Sequence, residues 1–244
     1  MAGLLFLISL LLLCSDATSF DVMRYASVQY SILYQRFVDS VEQDYPEYGY
    51  PLKEDWVVKG PTNWWTQGFF AGVLWNLVEY NATRESLQRA IDVTIPIAPF
   101  ANNTDNMDVG FVIMSGFGNG YRILKRPDFL DVIVTGAHSL ATRYSPIVRC
   151  TRSRDSTQGF IVIIDNMMNL EILFEAANQT KNETLYNIGW QHANRTMYEH
   201  FRENNSTYHI VEYNETDGSV VRKYTGQGSI GSLFVYIIEY ILCY

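Results

Sequence analysis

The stretch from Val162 to Ala177, VIIDNMMNLEILFEAA, constrains the fold of this chain more than any other segment. Its apolar residues recur too densely for a helix that keeps one face in water. These residues are Ile164, Met168, Leu170, Ile172, Leu173, Phe174, Ala176 and Ala177. The pattern therefore predicts a helix that is covered on most sides, with Asp165 at its first turn.

The carboxyl group of Asp165 has two explanations. Aspartate is a favoured N-cap residue, because its side chain accepts a hydrogen bond from the open N–H groups of the first helical turn. Alternatively, apolar surroundings raise the pKa of the carboxyl, which then keeps a proton to donate near neutral pH. Asp108 opens a second apolar stretch after the polar segment ANNTDNM, and the same two explanations apply to it. From the residues alone, a cap is the more common use of such an aspartate.

Buried and amphipathic helices alternate along the chain. An amphipathic helix is predicted over Asp21–Asp44, and a turn-rich segment with Pro46, Gly49 and Pro51 follows it. Three pairs come next, each with one helix that is apolar on nearly every side and one more polar partner. The pairs begin near residues 64 and 85, 108 and 127, and 165 and 181. They predict helical hairpins whose inner helices line a core.

One segment predicts strands instead of helices. HIVEYNETDGSVVRKY has a turn signal at Thr216-Asp217-Gly218 between two short runs of strand-forming residues, which is typical of a β-hairpin. The GFGNG run is a different case, since it lies inside a helical pattern with no strand before it, and a phosphate-binding loop is therefore not predicted there.

The N-terminus predicts export. Residues 4–13, LLFLISLLLL, have the length of a signal-peptide core, and small residues favour cleavage after Ala17. The alternative, an uncleaved anchor, is disfavoured because the run is short for a membrane span. Eight N-x-Ser/Thr glycosylation sequons agree with a secretory route. We therefore expect a secreted glycoprotein with no membrane association after cleavage. We also expect one domain, since 244 residues with 48% hydrophobic composition suffice for one large core.

Charge and motif content exclude several function classes. A formal net charge of −8 argues against nucleic-acid binding through a basic surface. The one basic cluster, Arg149, Arg152 and Arg154, is more typical of a solvated loop than of a binding site. The histidines show no metal-ligand spacing and no GxSxG motif occurs, so neither a metal nor another cofactor is expected. Cys150 and Cys243 do not make a disulfide framework.

The stretch IIDNMMNLEILFEAA closely resembles the central motif of glycoside hydrolase family 88, the unsaturated glucuronyl hydrolases. Four further stretches resemble the same family, in its order: WWTQGFFAGVLW at 64–75, MDVGFVIMSGFGNGYRI at 107–123, STYHIVEYNETDGSVV at 206–221 and TGQG at 225–228. The resemblance implies an all-α fold, an (α/α)6 barrel of twelve helices built from hairpins. About seven helices are counted here, together with the short β-hairpin near 207–224. The resemblance thus implies an incomplete catalytic domain over residues 18–228, followed by an atypical apolar tail at 229–244.

The resemblance also implies an activity. The family removes a 4,5-unsaturated uronic acid from the non-reducing end of lyase-generated oligosaccharides by acid-catalysed hydration of the C4=C5 bond. Matching positions make Asp165 the general acid/base and Asp108 the stabilising partner across the cleft. Trp65, His209 and Gln227 match residues that position the sugar, although Trp65 could equally be a core residue. The family commonly has a histidine before its second aspartate, whereas this chain has Met107.

Two alternatives to this activity stay open. One is the related unsaturated rhamnogalacturonyl hydrolase group, which has similar chemistry but a different sugar beyond the uronate. The other is an inactive secreted fragment that at most binds sugar.

Overall fold

The computed structural model describes residues 22–49, 56–59, 64–156 and 159–226. The chain divides into two compact units, one through Pro96 and one from Ile97 onward. The predicted signal peptide at 1–17, Gln227, Cys243 and the tail at 229–244 lie outside the described residues and stay predictions. Within the described ranges, no helix combines the length and the apolar character that crossing a bilayer requires.

The first unit contains a helical hairpin and one pair of strands. Helix α1 covers residues 22–39, and the antiparallel strands β1 (Tyr45–Gly49) and β2 (Trp56–Lys59) follow it. Helices α2 (Gln67–Tyr80) and α3 (Arg84–Thr94) form the hairpin predicted near residues 64 and 85. Helix α2 is the buried member, and α3 begins at a capping box between Thr83 and Ser86. The strand pair occupies the segment for which the sequence predicted mainly turns.

Aromatic side chains fill the core of the first unit. Phe37, Tyr45 and Phe70 meet edge to face, with ring centroids 5.2 to 6.2 Å apart. The Trp75 indole is fully buried, and its Nε1–H donates to the Thr94 hydroxyl at 2.9 Å. Helix α3 ends at Thr94, because a 3₁₀ helix over Ile95–Asn102 replaces it where prolines interrupt the chain.

In its described residues, the second unit is built mainly from five α-helices and two small sheets. Helix α4 (Val109–Ile113), a π-helical turn (Met114–Gly118) and helix α5 (Asn119–Leu124) together form the predicted helix that opens at Asp108. Helix α6 (Pro127–Ala141) starts with proline in its first turn, where its missing N–H would have no helical partner anyway. Helices α7 (Leu170–Thr180) and α8 (Glu183–Glu199) form the hairpin predicted near residues 165 and 181.

The strands of the second unit form two antiparallel sheets. A short pair joins β3 (Tyr144–Ser145) to β4 (Cys150–Thr151). A three-stranded sheet has the order β5 (Phe160–Ile163), β6 (Ile210–Tyr213) and β7 (Val220–Tyr224). Strands β6 and β7 confirm the predicted hairpin. The thiol of Cys150 in β4 is free and buried, in a cluster with Val162 of β5 and Val211 of β6.

The start of the predicted central helix is wrong. Residues Phe160–Ile163 form strand β5, a 3₁₀ helix covers Ile164–Asn169, and α7 begins only at Leu170. Residues 160–163, FIVI, are aromatic and β-branched, and they pair along their length with β6. A short apolar run fits a buried strand as well as a buried helix, and the pairing partner decides between them.

Candidate active site

Asp165 lies in the 3₁₀ helix that follows strand β5. The N-cap position of that helix is Ile163, and the N-cap position of α7 is Asn169, so the capping explanation is wrong for Asp165. Its Oδ1 is buried without a hydrogen-bond partner in the described part of the chain. Burial raises the pKa of this carboxyl, while backbone N–H groups and the charge of Arg154 oppose the shift.

Asp108 does occupy the N-cap position of α4, but its side chain makes no capping hydrogen bond. Burial and the nearby negative charge of Asp165 raise its pKa to about 7, against the opposing charges of Arg154 and Arg143. The two carboxyl groups are therefore close enough to interact. Because two neighbouring carboxyls resist ionising together, we expect them to titrate as one pair.

A glycine lets the two carboxyl-bearing segments meet. A Cβ atom added to Gly110 in α4 would lie 2.5 Å from both the Cα and the carbonyl oxygen of Asn169. Only glycine fits at such a backbone-to-backbone contact. The Asn169 side-chain oxygen accepts a hydrogen bond from the Phe111 N–H at 2.9 Å, which satisfies one of the open donors of α4. This contact fixes Asp108 relative to the segment that carries Asp165.

Buried amides extend this connection to strand β4. Asn169 donates to the Asn166 oxygen at 3.3 Å, and Asn166 donates to the Thr151 carbonyl at 2.9 Å. Both asparagines are fully buried. A 3₁₀ helix has three residues per turn, so Asn166 and Asn169 lie on one side of it. The DNMMN motif thus supplies two structural amides beside the carboxyl of Asp165.

Met107 anchors the start of α4 by apolar contact. It packs with Ile163 at the end of β5 and with Ile210 at the start of β6. The position directly before Asp108 therefore contributes packing where the family commonly has a titrating side chain.

His209 belongs to the same site through both its backbone and its ring. Its carbonyl oxygen accepts from the Ile164 N–H at 3.0 Å, directly before Asp165. Its Nδ1 accepts from the Gly226 N–H at 3.1 Å, so the neutral ring carries its proton on Nε2. Burial and the charge of Arg154 lower the pKa of His209. The structure thus brings His209 together with Asp108 and Asp165.

Trp65 lies in the first unit, just before α2. It is 42% exposed and meets Phe69, itself 40% exposed, edge to face at 6.0 Å. Trp65 is therefore not a core residue, and it offers an aromatic face of the kind that packs against a pyranose ring. Two other aromatic residues of α2, Phe70 and Trp75, are buried.

Comparison with known proteins identifies the family. No family model matches the sequence. The chain is 37% identical over 210 residues to an unsaturated glucuronyl hydrolase of Formosa agariphila, covering 82% of this chain and 52% of that protein. A crystal structure of an unsaturated glucuronyl hydrolase specific for heparin superposes with a TM-score of 0.77 at 29% identity, covering 86% of this chain and 56% of that one. The chain belongs to glycoside hydrolase family 88, the unsaturated glucuronyl hydrolases.

Other relatives agree with this family. An unsaturated chondroitin disaccharide hydrolase of Streptococcus agalactiae is 25% identical over 170 residues, which are 67% of this chain and 43% of that protein. The chain spans about half the length of the relatives that it matches. Structures of unsaturated glucuronyl hydrolases are six-hairpin helical barrels, which confirms the predicted fold class of helical hairpins with a short β-hairpin.

The structure of this family 88 member adds four residues that sequence reasoning missed. Gly110, Asn166 and Asn169 hold the two carboxyl segments together, and the charge of Arg154 acts on both carboxyls. The first three lie inside the quoted motifs, so their spacing was a usable signal. Arg154 offered none, because it looked like part of a solvated basic loop. Among the described residues, no three His, Cys, Asp or Glu side chains cluster as a metal site would require.

Proposed function

We propose that this chain acts as a glycoside hydrolase that removes a 4,5-unsaturated uronic acid from the non-reducing end of lyase-generated oligosaccharides. The reaction is acid-catalysed hydration of the C4=C5 bond. The observation that carries the proposal is the half-buried, interacting pair of Asp108 and Asp165, because hydration needs one carboxyl that holds a proton and one that is charged.

The reaction divides into three steps. A carboxyl proton adds to C4, and the ring oxygen shares the positive charge that develops at C5. Water then adds at C5, and the deprotonated acid takes up a proton from it. The resulting hemiketal opens, and the bond to the next sugar breaks with its bridging oxygen on the departing sugar.

The two carboxyls divide this work in the proposed mechanism. Asp165 donates the proton and then activates the water, while Asp108 stabilises the cation. A pKa of about 7 on Asp108 favours that residue as the holder of the proton before substrate arrives. Delivery from Asp165 then requires the proton to move within the pair. The unpartnered Oδ1 of Asp165 favours that transfer, because a buried oxygen without a donor is more stable in the neutral acid.

Three other residues would position the sugar. The exposed face of Trp65 stacks on the ring, and His209 donates from Nε2 to a sugar hydroxyl. Gln227 has the same proposed role. Relatives named for chondroitin disaccharides and for heparin support an unsaturated uronyl oligosaccharide as the substrate class.

Isotope labelling tests the proposal. The 244-residue chain is incubated with an unsaturated chondroitin disaccharide, first in deuterated water and then in heavy-oxygen water. Hydration places deuterium at C4 and heavy oxygen at C5 of the released keto sugar, and the absorbance of the conjugated double bond disappears. Heavy oxygen at the anomeric carbon, with no label at C4, would show ordinary glycoside hydrolysis and would refute the mechanism.

The Asp165→Asn variant completes the test. The amide has nearly the same shape but cannot donate an acid proton, so we expect turnover to fall by roughly 10²- to 10⁴-fold while binding persists. Turnover close to the wild-type rate would remove Asp165 from the acid role. No turnover by the unmodified chain would favour a fragment that only binds sugar.

A further inference from the structure

Arg154 is held in place directly beside the strand that leads to Asp165. Its backbone forms an antiparallel bridge with Ile161 of β5. The preceding residue, Ser153, donates its N–H to the Ile161 carbonyl at 2.8 Å, and its Oγ accepts from the Ile163 N–H at 2.8 Å. Arg154 is therefore attached to an ordered strand, although its side chain is exposed.

The neighbouring charged residues are already paired. Arg152 contacts Glu215 at 2.7 Å and stacks over the Phe160 ring, while Asp155 pairs with the buried Arg143 at 3.3 Å. The side chain of Arg154 makes no hydrogen bond or ion pair with any residue that the structure describes. Its guanidinium remains available to an external anion.

The charge of Arg154 acts on three residues of the candidate active site. It opposes the upward pKa shifts that burial causes at Asp108 and Asp165, and it adds to the downward pKa shift of His209. These residues come from three different segments, namely the start of α4, the 3₁₀ helix and the start of β6. A single cation can affect all three only if it lies beside the place where they meet.

We propose that Arg154 binds the carboxylate of the terminal unsaturated uronic acid and so determines specificity for acidic over neutral sugars. This inference rests on the proposed function. The carboxylate of a uronic acid is attached to C5, one atom from the carbon that must be protonated. A guanidinium can hold both carboxylate oxygens at once and thereby orient C4 toward the proton donor. It also offsets the repulsion between the substrate carboxylate and the charged member of the aspartate pair.

The test compares one ligand in two charge states. The first ligand is an unsaturated uronyl disaccharide, and the second is its methyl ester, which is neutral at the same position. Binding of both is measured by calorimetry to the slow Asp165→Asn variant and to the Asp165→Asn/Arg154→Gln double variant. Arg154→Gln should weaken binding of the acid by about 10- to 100-fold, as expected for a lost charge-assisted hydrogen bond, and should leave the ester almost unchanged.

Arg152→Gln is the matched control, because it removes a charge from the same loop but from a residue already paired with Glu215. It should leave the ratio of the two affinities unchanged. Circular dichroism checks that all variants are folded. With Asp165 intact, Arg154→Gln should raise KM for the acid far more than it lowers kcat.

Each remaining outcome is decisive. Equal losses for acid and ester, or no loss for either, would overturn the role of Arg154. A raised Asp108 pKa in Arg154→Gln, with no change in the ratio of acid to ester affinity, would show that Arg154 only shifts the pKa values of the aspartates. That result would also overturn the role of Arg154 in binding the carboxylate. If the unmodified chain hydrates the substrate, the proposed function stands even when the role of Arg154 is overturned. If Asp165→Asn binds neither ligand and the unmodified chain hydrates none, both proposals fail together.

Discussion

Asp108 and Asp165 occupy positions that look like helix caps in the sequence, yet neither side chain is used as one. The two carboxyls instead lie close enough to interact, in partly buried surroundings that penalise two negative charges. Burial is the largest cause of both pKa shifts, and the Asp165 charge adds to the shift of Asp108. At the residue scale, the site is therefore distinguished from ordinary capping by proximity and desolvation.

Replacing Asp165 should change the titration of Asp108. In Asp165→Asn the neighbouring negative charge is gone, so we expect the pKa of Asp108 to fall below about 7. It should stay above the ordinary aspartate value, since burial remains. Carbon NMR of the side-chain carboxyls across a pH series measures this. Asp131→Asn, on an exposed position of α6, is the control, and an unchanged Asp108 titration in Asp165→Asn would show that the pair is not coupled.

At the element scale, the site depends on how closely α4 approaches the 3₁₀ helix. Gly110 permits this approach, and the Asn166 and Asn169 amides satisfy backbone groups that the contact buries. The atoms opposite Gly110 include the Asn169 backbone, which cannot rotate out of the way. The opposite holds at Gly118, where a new Cβ would meet the flexible Met114 side chain.

Gly110→Ala should therefore destabilise the protein and separate the two aspartates. Overpacking against backbone costs roughly 1–3 kcal/mol of unfolding free energy, and the Asp108 pKa should fall as Asp165 moves away. Chemical denaturation and the carbon NMR titration measure these two effects. Gly118→Ala, in the same helical segment, should cost less because a side chain can yield and because alanine favours helix. Equal stability of Gly110→Ala and wild type would contradict the close contact.

At the scale of the whole molecule, buried histidines couple stability to pH. His192 and His200 are both inaccessible to solvent, and burial lowers their pKa values to about 3 and about 4. The unfolded chain takes up protons on both near pH 6.5, whereas the folded chain does not. The stabilising contribution of each is thus complete above about pH 6.5 and is lost as the pH falls toward the folded value. The raised pKa of Asp108 acts in the opposite direction.

His192→Asn should flatten the dependence of stability on pH. Asparagine keeps an acceptor for the Thr151 N–H, which His192 Nδ1 accepts at 3.0 Å, but it cannot be protonated. Between pH 6.5 and 5, the variant should lose about 2 kcal/mol less unfolding free energy than wild type. Urea denaturation at both pH values gives this difference. His138→Asn on the exposed side of α6 is the control, and parallel losses in His192→Asn and wild type would refute the prediction.

The sequence alone determined the alternation of buried and amphipathic helices, the β6–β7 hairpin and the two aspartates of interest. Each of these depends on local properties, such as apolar periodicity, turn residues and motif spacing, which can be read along a single segment. Only the tertiary structure decided that residues 160–163 are a strand, that α7 starts at Leu170 and that the charge of Arg154 acts on both carboxyls. These outcomes depend on partners distant in sequence, namely β6 for the strand and α4 for the aspartate pair. Strand pairing, burial and electrostatic proximity arise only when those segments meet in the folded chain. A local sequence pattern therefore cannot predict them.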